Sequence, residues 1–506
     1  MSIADAPTPT PAKLRTVLAG LILAMVLAAL DQSIVNTALP RMAADLGGLN
    51  HLSWVVTAFM LVSTVVTPLY GKFSDMFGRR RLFGISILVF LAGSMLCGLA
   101  QTMPQLIGFR ALQGLGAGGL MVLSQTVIAD MVSPRERGRY QGLFTGAMAV
   151  ASVSGPLIGG GLTQALSWRW VFYVNLPLGL LALALIMAGV PKRVGAQVSH
   201  VIDVAGAVLL AITATSALLL FSLAGSTIPW RSPQALALAA TAIVGGALFL
   251  RQEARAREPI IQLSLFKIRS FAIGVFATGC MGFAMMGAVT FLPLYFQLVL
   301  GMQPAATGLM LLPQIGMMLI SSVIGGQLTS RFGKIKPFLV GGVLLEVVGL
   351  AGIGLFANAG APAWTFLGAL GVLGLGMGVA MPNATVVVQN AAPRESMGVA
   401  TASLAFIRSL GAVSGVAVSG GLIGMRLKSG LSHLSGVVDV QAIMEGGATR
   451  LGDLPPEVHA QVSEAYRHAI AGCFISGAFV MFIAFCLVSS LKVTLAPRPV
   501  RGTVAA

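Results

Sequence analysis

Charge is scarce in this chain. Only 9% of its 506 residues are charged and 56% are hydrophobic. A soluble domain carries roughly 25% charged residues. Most of this chain must therefore face lipid, or protein buried in lipid, and composition weighs strongly against a water-soluble enzyme. Cysteine is scarce too. Cys97, Cys280, Cys473 and Cys486 each sit in an apolar segment and none forms a CxxC pair. That argues against a disulfide framework or a zinc site and leaves buried structural thiols as the expectation. The five histidines, His51, His200, His433, His459 and His468, lie in loops or at the edges of apolar segments, with no HExxH among them. No metal site is expected, and no nucleophile–base set of an enzyme is apparent. A GxxxxGK[ST] stretch is absent, which weighs against an ATP-driven device in this chain, and no cofactor is expected.

What is present is a series of long apolar runs. A membrane-crossing helix needs about 20 mostly apolar residues. Fourteen stretches qualify: 16–38, 54–73, 82–100, 105–128, 140–163, 170–190, 202–223, 233–250, 270–298, 304–327, 337–357, 362–388, 397–424 and 469–491. The first lacks a small-residue cleavage site at signal-peptide distance and is read as a retained span. The fold class is all-α and polytopic. With 62 glycines, the helices are suited to close packing, because small residues let backbones approach.

The net charge is +16, yet the basic residues form no single patch. They recur in short loops, which reads as the positive-inside pattern rather than nucleic-acid binding. Alternate loops hold 23 lysines and arginines on the side of the N-terminal tail against seven on the other. Both termini are therefore expected in the cytoplasm.

The chain repeats itself. Gly71, Phe77 and Gly78, followed by Arg79, Arg80 and Arg81, are matched by Gly326, Phe332 and Gly333, followed by Lys334 and Lys336. Each copy falls between the second and third spans of its half if the two spans within about 202–250 are an insertion. The expected organisation is a tail over 1–15, a six-helix bundle over 16–195, a two-helix insertion over 196–255, a second six-helix bundle over 256–495 and a tail over 496–506. Residues 425–468 form an outer loop within the second bundle. Its stretch from Val458 to Ile470 looks like a short amphipathic surface helix. A spacer is one reading of this loop, and a lid or partner site is the other.

Four motifs carry most of the remaining information. The first span contains Leu30-Asp31-Gln32-Ser33-Ile34-Val35-Asn36, closing on Pro40. The second motif is the repeat around Gly71, Asp75 and Gly78. The fourth span holds Arg110, Gln113 and Gly114 in an RxxQG pattern. The fifth holds Gly155-Pro156-Leu157-Ile158-Gly159-Gly160, on a face of small residues (Ala147, Ala151, Gly155, Gly159) spaced by four. Together with the run from Trp168 to Pro177 and Arg408-Ser409-Leu410-Gly411, they closely resemble the fourteen-helix drug:proton antiporter family of the major facilitator superfamily, over about residues 16–425.

The resemblance implies duplicated six-helix halves around a midplane site. It also implies a proton-driven exporter of hydrophobic or amphipathic, often cationic, compounds, working by alternating access in the inner membrane. Its partners would be small substrates, protons and lipids, and a monomer is expected. Export of an endogenous lipid, siderophore or metabolite would use the same scaffold. A membrane-bound enzyme or adaptor would have no use for these motifs.

Residue by residue, an acid inside a span is a functional candidate. Asp31 reads as a proton carrier, or else as a solvated group near the outer interface. Buried Arg110 needs a partner; Asp31 is the candidate, and a fixed packing cation is the other reading. Asn36 and Gln113 are the neighbouring intramembrane polar groups. Asp75, with Gly71, Gly78, Arg79 and Arg80, reads as a conformational latch that faces helix N-termini or the adjacent arginines. The second copy has Ser330 at the step of Asp75, which puts a symmetric latch in doubt. Gly155, Pro156, Gly159 and Gly160 suggest a kinked, smooth helix that rocks and seals at the interface between the halves, against a reading as ordinary glycine packing. Glu346 lies mid-span with four readings open: a second proton site, a counter-charge for a cationic substrate, a partner for Arg408, or a neutral structural group. Asp203 reads as a helix cap. Trp168, Trp170 and Tyr173 fit an interfacial aromatic belt.

Overall fold

The computed structural model describes residues 11–47, 51–191, 201–224, 228–431 and 455–492. Inside a bilayer a helix satisfies its own backbone N–H and C=O groups, and the apolar runs fold accordingly. Among the described residues, fourteen helices are long and apolar enough to cross a membrane. They are α1 (Ala12–Leu46), α2 (Leu52–Phe77), α3 (Arg79–Leu99), α4 (Met103–Met131), α5 (Arg137–Ala165), α6 (Trp170–Gly189) and α7 (Val204–Leu223). The rest are α8 (Pro233–Glu253), α9 (Arg269–Leu298), α10 (Ala306–Phe332), α11 (Lys336–Asn358), α12 (Ala363–Ala391), α13 (Arg394–Gly430) and α14 (Glu457–Ser489).

Many of the helices run past the apolar stretches that announced them. Pro40 does not close α1, which continues to Leu46. Proline removes one donor and frees the carbonyl four residues back, here that of exposed Asn36. The stretch from Val458 to Ile470 is no separate surface helix but the opening of α14. Val462, Tyr466, Ala469 and Ile470 carry its buried stripe straight into the core. With α13 reaching Gly430, the expected loop over 425–468 shrinks, and its centre, 432–454, lies outside the described residues. Two side-chain expectations also change. Cys486 is exposed while the other three thiols are buried. Trp168 is an interior residue, its indole N–H donating to Asp45 Oδ2 at 2.8 Å, so it does not belong to an interfacial belt.

Buried side chains fall into groups along the chain. Val17, Phe59, Phe90, Leu120, Phe144 and Ile186 belong to one cluster, with α1 to α5 and α6 contributing. Leu292, Leu339, Leu370, Ile423 and Phe474 belong to another, drawn from α9 and α11 to α14. A smaller cluster ties α7 and α8 to Val65 of α2 and Phe406 of α13.

The two large groups meet most closely at the end of the bundle that carries Gly78 and Gly333. Both glycines hold positive φ, 92° and 67°, a backbone conformation that other residues avoid. That requirement explains why the repeat keeps glycine there. Helix α2 packs on α13 and α10 packs on α5. A Cβ on Gly71 would strike Ala402 and the Gly398 carbonyl; one on Gly142 would strike the Ser322 carbonyl; one on Gly326 would strike that of Gly138. The smooth face at this junction is thus Gly138, Gly142 and Gly146 of α5. It is not the face that contains Gly155 and Gly159. At 3.6 residues per turn the two faces lie about 140° apart, so one helix cannot present both to the same neighbour. Gly155 and Gly159 instead fit α1, against Ser33 and Ile34, and Gly160 has open space beside it.

Adding bulk to a close-packed contact costs about 1–3 kcal/mol. At about 1.4 kcal/mol per tenfold, Gly142→Val should lower the population of this joined arrangement roughly five- to 100-fold. Spin labels at Arg139 and Phe332 would report it as a shift toward longer distances. An unchanged distance distribution would show that the α5–α10 contact does not limit separation.

Candidate functional site

The deepest charges in the first bundle form one buried network. Asp31 is 0% exposed and Arg110 is 1% exposed. Arg110 Nη1 donates to Asp31 Oδ2 at 2.6 Å. Gln113 Nε2 and Asn175 Nδ2 donate to Asp31 Oδ1 at 2.8 and 2.7 Å. Arg110 also donates to Gln113 Oε1 at 2.8 Å and to the Val55 carbonyl at 3.3 Å. Asn175 reaches Ser94 Oγ at 2.9 Å. The guanidinium lies 4.0 Å from the centroid of the Phe59 ring, within cation–π range.

Local sequence explains the convergence. Arg110 and Gln113, three apart, share one face of α4. Gly114 lets that helix approach α2, since a Cβ there would lie 2.6 Å from the Phe59 carbonyl oxygen. Gly93 does the same for α3, its Cβ position being 2.6 Å from Gln113 Cα. Pro156 lacks an N–H and so leaves the Ser152 carbonyl without its helical donor. Ser33 Oγ, two residues from Asp31, donates to that carbonyl at 3.1 Å. The Gly-Pro run thereby holds α5 onto the acid-bearing stretch of α1.

A cavity of about 270 Å³ lies between the bundles. Eight of the chain's 24 methionines line it: Met60, Met121, Met148, Met281, Met285, Met286, Met377 and Met381. Flexible thioethers adapt to differently shaped apolar ligands. Phe59 and Gln32 line it from the first bundle, Glu346 and Arg408 from the second. Phe59 thus belongs to both the cavity wall and the Arg110 contact. Asp31 is not in the wall.

The end where the bundles meet is fastened in two chemically different ways. Asp75, in the last turns of α2, accepts the N–H groups of Gly398 and Val399 at 3.0 and 2.9 Å. A carboxylate there meets the unpaired donors and the positive end of the dipole near the start of α13. Arg79 pairs with Asp75 and, at 2.9 Å, with Asp130, and it donates to Ser74 Oγ at 2.7 Å. Arg80 joins none of these bonds among the described residues.

At the repeat position the sign is reversed. Arg135 donates to the carbonyls of Ser330 and Arg331, at 3.0 and 2.8 Å, so a guanidinium meets the carbonyl end of α10. Ser330 Oγ accepts the Arg139 N–H at 3.0 Å. A connecting segment crosses the same junction. Glu258 pairs with Lys72 of α2 at 3.0 Å, and Gln262 accepts from Ser396 of α13 at 2.7 Å.

The profile described as Major Facilitator Superfamily matches residues 21–416. The chain belongs to the major facilitator superfamily. It is 39% identical to the multidrug transporter protein MdtP of Bacillus subtilis over 80% of this chain and 75% of that protein. It is 31% identical to multidrug resistance protein 3 of the same organism over 93% of this chain and 94% of that protein. The solved structure of the human organic anion transporter MFSD10 superposes with a TM-score of 0.63 at 16% identity, covering 95% of this chain and 100% of that one. At that identity the likeness speaks for the fold alone.

Within this superfamily scaffold, the residues singled out in the sequence do not gather in one place. Asp31, Arg110 and Gln113 come together in the network, whereas Asn36 is exposed and outside it. Glu346 and Arg408 line the cavity but do not pair with each other among the described residues. Asp203 accepts the Gly206 N–H at 2.8 Å, as a cap does. Sequence reading passed over Asn175 and Ser94, although Asn175 stood inside the Trp168–Pro177 run. It also missed a second repeat. Pro134-Arg135-Glu136 precedes Gly138, and Pro393-Arg394-Glu395 precedes Gly398 with one residue more between them, and each glycine sits at a junction between the bundles.

Removing one member of a buried ion pair costs about 3–5 kcal/mol, because the other charge is left uncompensated. Arg110→Gln should destabilise the detergent-solubilised protein by about that much, and Asp31→Asn with Arg110→Gln by less than the sum of the two single changes. A denaturation double-mutant cycle reads the coupling. Additive losses would mean that the contact contributes nothing.

Proposed function

We propose that this protein exports hydrophobic and amphipathic drugs across the plasma membrane by alternating access, in exchange for protons. The observation that carries the reading is the shared Phe59 wall between a methionine-rich cavity and a fully buried Asp31–Arg110 pair. The multidrug names of the Bacillus relatives support drugs as cargo and a transporter rather than an enzyme. The lysine and arginine bias supports a cytoplasmic placement of both termini, and so of the junction held by Asp75 and Arg135. The arrangement described here is then closed toward the cytoplasm. The helix pairings α2 with α13 and α10 with α5 support two six-helix halves with α7 and α8 inserted between them.

The coupling follows from the donor set of Asp31. As a carboxylate it accepts from Arg110, Gln113 and Asn175. A proton arriving on Oδ2 turns that oxygen into a donor and ends its bond with the guanidinium, a group that stays charged. Freed Arg110 presses on Phe59 and disfavours ligand on the other face of that ring. Proton and ligand therefore favour different states, as an exchanger requires. Asp75 and Arg135 set how readily the cytoplasmic junction opens.

The test is proteoliposomes containing the purified protein and an internal pH dye, challenged with lipophilic cations and neutral aromatic drugs. Drug-dependent proton flux should appear with the native protein and vanish in Asp31→Asn, with drug binding retained. Undiminished uphill export by Asp31→Asn would refute the assignment of Asp31.

A further inference from the structure

Glu346 of α11 and Arg408 of α13 are the charged side chains in the cavity wall, opposite in sign and carried by different helices of the second bundle. They are not an ion pair among the described residues. Glu346 is 2% exposed, and its Oε1 has no hydrogen-bond partner. Arg408 is half-buried, and its guanidinium donates no hydrogen bond within the chain among the described residues. The contrast with Asp31 and Arg110, where each charge has several partners, is sharp. Glu346 is held against α12, its Cγ lying 2.9 Å from where a Cβ of Gly376 would be. Arg408 stands where α13 crosses Gly282 of α9. The two charges are carried by separate helices, each packed closely on a neighbour at that position.

We infer that the cavity is built for zwitterionic amphipaths: compounds carrying a basic amine and an acidic group on one apolar body. The inference rests on the cavity being the site of the transported ligand. Unpaired charges in apolar surroundings are costly, and the cost disappears when a ligand supplies the partner. A simple cation would satisfy Glu346 and leave Arg408 bare. A simple anion would do the reverse, and an uncharged compound would satisfy neither. An amine facing Glu346 and a carboxylate or phosphate facing Arg408 satisfy both, and the guanidinium fork can hold the acid through two parallel bonds. The apolar body then lies among the methionines toward Phe59. A volume of about 270 Å³ fits a compact ligand.

The experiment uses the full chain in lipid nanodiscs and four probes on one aromatic scaffold: an amino acid, its ester (a monocation), its N-acyl form (a monoanion) and the doubly blocked neutral compound. Equilibrium binding is measured for the native protein, Glu346→Gln and Arg408→Gln. A charged hydrogen bond contributes enough for about a tenfold change in affinity. The zwitterion should bind about tenfold or more tightly than either singly charged probe. Glu346→Gln should weaken the zwitterion and monocation by about that factor and spare the monoanion. Arg408→Gln should weaken the zwitterion and monoanion and spare the monocation. The neutral probe should be unaffected by either change, which also shows that the variants are folded. If the neutral probe binds the native protein as tightly as the zwitterion, or if each variant weakens all four probes equally, the charge assignment is overturned while the cavity remains the ligand site. If no probe binds, the reading of the cavity itself fails, and this inference with it.

Discussion

A carboxylate and a guanidinium held 2.6 Å apart in the first bundle, both closed off from solvent, constrain much of the surrounding structure. Such a pair persists only when its remaining donors and acceptors are also met. Meeting them draws on α1, α2, α3, α4 and α6 at once, through Asp31, Val55, Ser94, Arg110, Gln113 and Asn175. The glycines that bring α4 against α2 and α3, Gly114 and Gly93, are part of the same requirement. So is the Ser33 bond to the carbonyl that Pro156 frees. The motifs of α1, α4 and α5 are therefore three parts of one construction.

The junction between the bundles obeys a different rule. There the backbones come so close that glycine is the residue that fits at Gly71, Gly142 and Gly326. Charges do not provide the bulk of the contact; they choose its register. Asp75 finds helix donors, and Arg135 finds helix acceptors. One fastening would weaken if Asp75 were protonated, whereas the other depends on an arginine that stays charged. The asymmetry follows from Ser330 occupying the step of Asp75, so the repeated motif does not carry repeated chemistry.

The number of spans and their order were legible because lipid imposes length and apolarity on every crossing. Helix ends were less so. Val462 and Tyr466 belong to the buried stripe of α14, yet charged and polar neighbours mask the signal in a hydropathy reading. The Asp31–Arg110 pairing was legible because each charge demanded a partner and few were on offer. Asn175 was not, since an asparagine at the head of an apolar run demands nothing until α6 is seen to cross Asp31. The small-residue face through Gly155 was recognised, and α5 does pack on the second half, but at Gly155 and Gly159 the face seats α1. Spacing shows that a face is smooth, and only the fold shows which helix lies against it.

Phe59 is where the pieces touch. Its ring contacts the Arg110 guanidinium at 4.0 Å and also lines the cavity, and its carbonyl is the atom that Gly114 accommodates. In the proposed exchange, a proton on Asp31 need not travel to the ligand, nor the ligand to the acid. Either event acts on the same aromatic wall, whose backbone is packed against Gly114. In that proposal the push on Phe59 is passed along α2. Sixteen residues further along that helix, Asp75 holds the N-terminus of α13. A continuous helix with the cavity wall at its middle, Pro68 beyond it and Asp75 near its end is a physical route by which occupancy of the site would reach the junction.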